Sequence, residues 1–182
     1  MKKNKKWLYT IVFITICSIL FFSFATNTKI KFYVLNNEES LVKATKKGDI
    51  KEINELINKG TDVNISGIEK NSENIPPIII AAASNNSKIL SLLIEKGANV
   101  NTILEGENIP LMETETKIIK LTKPTPLLAA VMVGNIENVK ILLKNGANID
   151  LKGGLGFTPL MLSILKEKKI TELLIKNNAD IN

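Results

Sequence analysis

The side chains able to do chemistry in this 182-residue chain are 24 lysines and 18 carboxylates, with no histidine, no arginine and one cysteine, Cys17. Serine- or cysteine-based nucleophilic catalysis built on an imidazole base, and any imidazole-ligated metal site, therefore lack their central group. Cys17 sits in an apolar run and has no second thiol to pair with or to share a metal. Most carboxylates fall in turns and on helix exteriors, where solvation explains them, and Asp62 with Asn64 lacks the alternating spacing of a calcium loop. No glycine-rich loop runs into Lys-Ser or Lys-Thr, so no phosphate cradle is present, and Gly153-Gly154-Leu155-Gly156 reads as a turn tip. Without arginine the chain also lacks the planar fork that grips phosphate or guanine through two bonds, which argues against nucleic acid. The composition points away from an enzyme, a metal site, a cofactor and a small-molecule substrate. What remains is binding through surface.

Four lysines (Lys2, Lys3, Lys5, Lys6) open the chain, and the uncharged stretch Trp7 to Ala25 follows. From residue 26 onward the lysines nearly balance the carboxylates, so the net charge of +6 belongs largely to the start. As a helix, the apolar stretch would reach about 28 Å, close to the hydrocarbon thickness of a bilayer. Its length, with Trp7 and Tyr9 at one edge, suits an uncleaved anchor; Ser23-Phe24-Ala25 suits a signal peptide cut after Ala25. In both of these readings the basic start stays in the cytoplasm and the remainder crosses the membrane; the third reading is a buried helix of a soluble protein. The expected organisation is a signal peptide or membrane anchor over 1–25, a linker over 26–37 and a body over 38–182.

The body repeats itself. Residues 39–64, 76–101, 125–150 and 158–182 share a short apolar start, a polar turn, a Leu/Ile-rich run and an ending such as Gly-Ala-Asn-Val-Asn. In the third unit Leu127, Ala130 and Val131 make one apolar stripe, and Ile136, Val139, Leu142 and Leu143 make another at helical spacing, which predicts two short helices. Thr125 is placed to cap the first helix with Pro126 in its first turn, while Gly134 and Gly146 are placed to close the two helices.

These units resemble the ankyrin repeat. Thr125-Pro126-Leu127 and Thr158-Pro159-Leu160 match its T-P-L-H start, 33 residues apart, and Gly97-Ala98-Asn99-Val100-Asn101 and Gly146-Ala147-Asn148-Ile149-Asp150 match its ending. The resemblance implies an all-α solenoid of four helix-turn-helix repeats with β-hairpin connectors, over about 38–65, 76–103, 125–151 and 158–182. The motif's histidine is replaced by Ile79, Leu128 or Met161, so apolar packing must substitute for its hydrogen bonds. Polar end units are expected to keep the solenoid soluble: Lys43, Lys46 and Lys47 in the first, and Lys166, Glu167, Lys168, Lys169 and Lys176 in the fourth.

The connector after Asn101 is longer than the family's seven residues and is read as carrying an insertion at about 105–120, a two-stranded finger in which Thr114, Thr116, Ile118 and Lys120 alternate. It is either a solvated loop or a partner-contacting projection. The resemblance also implies a concave groove lined by the residues that follow each first helix's small pair, Lys46, Lys47, Ala83, Ser84, Met132 and Val133, with Leu165 and Lys166 in a looser correspondence in the fourth unit. Met132 either offers the groove an adaptable apolar contact or packs against the next repeat. Phe157, at a connector tip, is a candidate anchor for a partner. The implied function is non-enzymatic protein–protein binding, displayed outside the cytoplasm on the membrane through residues 7–25. Two variants of that reading are a secreted effector or inhibitor-type binder released by cleavage, and a periplasmic accessory protein that stabilises an envelope enzyme.

Overall fold

A computed structural model describes residues 37–65, 75–104, 109–110, 120–121 and 123–182. The chain divides into Met1–Asn37 and Glu38–Asn182, and the description covers essentially the second. The leader, most of the linker and the alternating residues 111–119 lie outside the described residues, and among the described residues no helix is long and apolar enough to cross a membrane.

Each of the four units is a helix pair: residues 37–47 (α1) with Ile50–Asn58 (α2), Pro77–Ala82 (α3) with Ser87–Glu95 (α4), Pro126–Val133 (α5) with Ile136–Lys144 (α6), and Pro159–Ser163 (α7) with Lys168–Lys176 (α8). Local chemistry sets the boundaries. The Thr125 and Thr158 hydroxyls accept the backbone N–H of Leu128 (3.1 Å) and Met161 (3.2 Å), with Pro126 and Pro159 in the first turn where no N–H is needed. Asp49 and Asn135 cap the second helices of units 1 and 3 in the same way. Gly134 ends α5 in the left-handed region at φ 76°, a conformation that a Cβ would strain.

The pairs stack in sequence order. First helices line up as α3 on α5 on α7, and second helices as α4 on α6 on α8. Helix α5, in the middle of that stack, is buried along Pro126 to Met132 rather than on one stripe. The core runs from Leu41 and Ala44 through Ile78, Ile79, Leu90 and Leu93 to Leu127, Leu128, Leu142, Ile170 and Leu174. Ile79 and Leu128, which stand where the family motif has histidine, are fully buried, so packing does replace those bonds; Met161, at the equivalent place in unit 4, is 48% exposed.

A second set of ties runs along the unit endings. Asn64 donates to the carbonyl of Gly97 (3.0 Å) and accepts from the N–H of Asn99 (2.7 Å). Asn101 repeats this one unit later, to Gly146 (3.1 Å) and from Asn148 (2.7 Å). Asp150 accepts from the N–H of Asp180 (2.9 Å). A carboxylate has no N–H to offer, so this junction keeps only half of the pair.

The long connector is pinched at its neck, where Leu104 N–H donates to Pro124 O (3.1 Å), and again by two-residue antiparallel strands, Ile109–Pro110 (β1) and Lys120–Leu121 (β2), with Ile109 opposite Leu121 and Pro110 opposite Lys120. This is the base of the expected finger, and these are the only strands among the described residues. The connector before unit 4 is not a hairpin. It closes in a 3-10 turn, Gly154–Gly156, with Gly153 N–H donating to Phe157 O (3.0 Å).

Unit 4 departs from expectation. Its lysines are exposed as a capping unit requires, but Ile164 (71%), Leu165 (75%) and Ile181 (74%) are exposed beside them. The expected polar cap is incomplete: Ile164 and Leu165 stand where unit 3 has Val131 and Met132, which are buried where α7 packs on α5.

Candidate partner-binding surface

The residues proposed for the groove lie where each first helix ends. Lys46 and Lys47 close α1, Ala83 and Ser84 follow α3, Met132 and Val133 close α5, and Leu165 and Lys166 follow α7. Because α3, α5 and α7 pack side by side, the last three pairs form one row, and Gly48, next to Lys47, stands against Asn86 and Ile89 of unit 2, which sets the first pair at its end. Lys46, Lys47 and Lys166 are exposed, and Ala83, Ser84 and Val133 are half-buried.

Met132 is the correction. It is 6% exposed, because α7 covers that side of α5, so it packs against the next repeat instead of facing a partner. Ser84 also serves the fold: its hydroxyl donates to Ala81 O (2.8 Å) and accepts from Asn86 N–H (3.2 Å). Phe157 is 38% exposed, but it stands one residue before the cap of α7, eight residues from Leu165, which at 1.5 Å per residue is about 12 Å along the helix axis. The structure does not bring it into the row.

The row's position is fixed by a feature that composition did not reveal. Asn138, fully buried on α6, donates through Nδ2 to the carbonyls of Ala82 (3.0 Å), Ser84 (2.9 Å) and, at longer range, Ala81 (3.3 Å). Asn135, which caps α6 with its oxygen, adds Nδ2 to Ser84 O (3.0 Å). Two side chains of unit 3 thus grip carbonyls at the C-terminal end of α3 and in the turn after it, and hold the turn that carries Ala83 and Ser84. The signal for it was an asparagine at a position where units 2 and 4 carry Ile89 and Ile170.

Chemically, the row offers lysine ammonium groups at both ends and small or apolar surface between them. Lysines at helix C-termini sit at the negative end of the helix dipole, which favours their charge there. Among the described residues no group of acidic, cysteine or histidine side chains is arranged to hold a metal ion.

The stacked helix pairs, the left-handed closing residues and the ladder of unit endings agree with a match to the family described as ankyrin repeats (3 copies) over residues 103–182 and to the ankyrin repeat over residues 74–103. The chain belongs to the ankyrin repeat family. Unit 1 lies outside both matches; it is a further helix pair, tied to unit 2 through Asn64.

Ankyrin repeats are protein-interaction modules, and the relatives of this chain carry them in varied settings. An ankyrin repeat protein of fowlpox virus is 30% identical over 154 residues, 82% of this chain and 40% of its own length. The phosphocholine transferase AnkX of Legionella pneumophila is 26% identical over 179 residues, 81% of this chain and 18% of its own. A protein of Danio rerio named as a palmitoyltransferase is 25% identical over 166 residues, 74% of this chain and 25% of its own. The chain thus spans less than half the length of these relatives.

Proposed function

We propose that this ankyrin repeat chain is a non-enzymatic adaptor that binds a protein partner along the row of first-helix ends. The observation that carries the reading is the row itself: Lys46 and Lys47 at one end, Ala83 and Val133 in the middle, Lys166 at the other, on a backbone clamped by Asn135 and Asn138. A fitting partner presents a small apolar centre flanked by carboxylates. Apolar contact at the centre would supply affinity, and the lysines would set orientation and association rate. Phe157 is a separate, outlying contact. The shared stretch is only 18% and 25% of the two transferases, so their activities are not carried over.

The leader supports display outside the cytoplasm. Four lysines ahead of the uncharged stretch Trp7 to Ala25 orient it with the start inside, and its length favours an anchor over cleavage at Ala25. The test compares the natural chain with Lys47→Glu combined with Val133→Glu. Capture of a partner from the envelope fraction should fall at least tenfold while the far-UV spectrum and unfolding midpoint stay near the natural values. Undiminished capture would remove the row as the binding surface. Protease accessibility of the body from outside intact cells tests the display.

A further inference from the structure

One position recurs at the end of every first helix. Lys47, Ser84, Val133 and Lys166 hold the same place in units 1 to 4, and at each junction the next unit stands against it. A Cβ on Gly48, next to Lys47, would lie 3.8 Å from Asn86 Nδ2. Ser84 O accepts from Asn135 Nδ2 at 3.0 Å, and a Cβ on Gly134, next to Val133, would lie 3.8 Å from Glu167 Oε1. The row is therefore continuous across the three junctions, and its step is the distance between adjacent packed helices, roughly 8–10 Å. Buried Ala81, Ala82, Ala129 and Ala130 let α3 and α5 approach closely. Lys47 to Lys166 is three such steps, roughly 24–30 Å.

That step selects the backbone of a segment that lies along the row with one side chain over each unit. A β-strand presents the same face every second residue, so its side chains fall at about 6.7 Å or about 13 Å and miss the units. An α-helix returns a side chain every seven residues, at about 10.5 Å with about 20° of drift, and overshoots by the third step. Polyproline II repeats every three residues at about 9.3 Å, and about ten residues carry four facing side chains over about 28 Å. The middle of the row favours it too. Ser84 O is held by Asn135 and Asn138, and Ser84 Oγ bonds Ala81 O and Asn86 N–H, so the polar groups there are already engaged. Polyproline II keeps its own backbone in water and needs no pairing from them.

Charge sets the outer positions. Lys47 and Lys166 are exposed, and the carboxylate of Asp49, near Lys47, is taken up capping α2 through the N–H groups of Lys51 and Glu52. Glu167, against Gly134, stands beside Val133, where no lysine of the row offsets it, and disfavours an acid there. We infer that the partner's contact segment is a polyproline II stretch of about ten residues, with carboxylates first and last and small apolar residues fourth and seventh. The inference rests on the adaptor reading above and narrows its partner to an extended, proline-rich one. A preformed backbone loses little entropy on docking, which suits a shallow row of half-buried Ala83, Ser84 and Val133.

The probe is the labelled peptide Glu-Pro-Pro-Ala-Pro-Pro-Ala-Pro-Pro-Glu, titrated with the full chain in mild detergent and read by fluorescence polarisation at low salt. It should bind, and Lys47→Glu and Lys166→Glu should each weaken it about fivefold or more with the far-UV spectrum unchanged. Changing one terminal acid of the peptide to lysine should restore binding to Lys166→Glu, and changing the other should restore it to Lys47→Glu. A peptide of the same composition with its acids about six residues apart, two steps instead of three, should bind about fivefold more weakly or worse. Failure of the first peptide to bind, equal binding of the two, or binding indifferent to Lys166→Glu would each overturn the inference. So would tighter binding of an alanine-rich helix whose acids stand about 27 Å apart on one face. Capture from the envelope fraction then judges the row separately: capture lost in Lys47→Glu with Val133→Glu keeps the row under a different backbone, and undiminished capture removes it.

Discussion

Replacing Asn138 should uncouple the two halves of the solenoid. In Asn138→Ala, Ala81 O keeps its bonds from Ser84 N–H (3.1 Å) and Ser84 Oγ (2.8 Å), and Ser84 O keeps Asn135 Nδ2 (3.0 Å), but Ala82 O loses the bond that Asn138 gives it. The amide has two N–H groups, so two net hydrogen bonds at about 1 kcal/mol each and one stranded carbonyl at about 2 kcal/mol come to roughly 4 kcal/mol. Asn138 Oδ1 is itself buried without a partner, and its removal offsets about 1 kcal/mol of that. The expected loss is therefore about 3 kcal/mol. It falls on the junction between units 2 and 3, and a solenoid's stability is approximately a sum of unit and nearest-neighbour terms. Urea unfolding followed by far-UV circular dichroism should show a lower midpoint and a transition that broadens or splits, with units 1 and 2 separating from units 3 and 4. Asn138→Ile, the residue type at this position in units 2 and 4, fills with apolar contacts the space that alanine leaves empty, so it should lose about 1 kcal/mol less than Asn138→Ala. A loss under about 0.5 kcal/mol for Asn138→Ala, the range of an ordinary surface substitution, would refute the clamp.

Deleting residues 105–120 leaves seven residues between Asn101 and Thr125, the length of the connector Leu151 to Phe157, and keeps the neck bond between Leu104 and Pro124. Shortening the loop from 23 to seven residues should stabilise by about 1 kcal/mol through closure entropy, read as an unchanged single transition with a slightly higher midpoint; loss of cooperative unfolding would show the finger to be part of the fold. Glu38 gives a pH signature. Burial, and secondarily the charge of Asp62, holds its carboxyl above the usual value of 4.5, and its Oε2 is buried without a partner. The folded state thus retains a proton that the unfolded chain releases near 4.5, so this contribution to stability is full below that value and is lost as the pH rises through the folded-state pKa. Glu38→Gln should remove the slope and be the more stable protein at neutral pH; parallel stability–pH curves for the two would contradict the assignment.

What could be read from the residues was the part of the fold that is local. The cap at Thr125, closure at Gly134 and the 33-residue spacing between the two T-P-L starts each follow from one segment's own chemistry, and each is where the spacing placed it. The misreadings concern neighbours. Met132 and Leu165 occupy equivalent places after almost identical starts, yet one is 6% exposed and the other 75%, because α7 lies against α5 and no described helix lies against the far side of α7. Burial at that position belongs to the stack and not to the side chain. Asn138 was hidden for the same reason: an asparagine on a helix reads as a solvent-facing residue until the ends of the neighbouring helix, with their unsatisfied carbonyls, are known to lie against it. The same logic applies to the surface proposed for binding: the groove row is held by bonds between adjacent units and exists only once they have stacked.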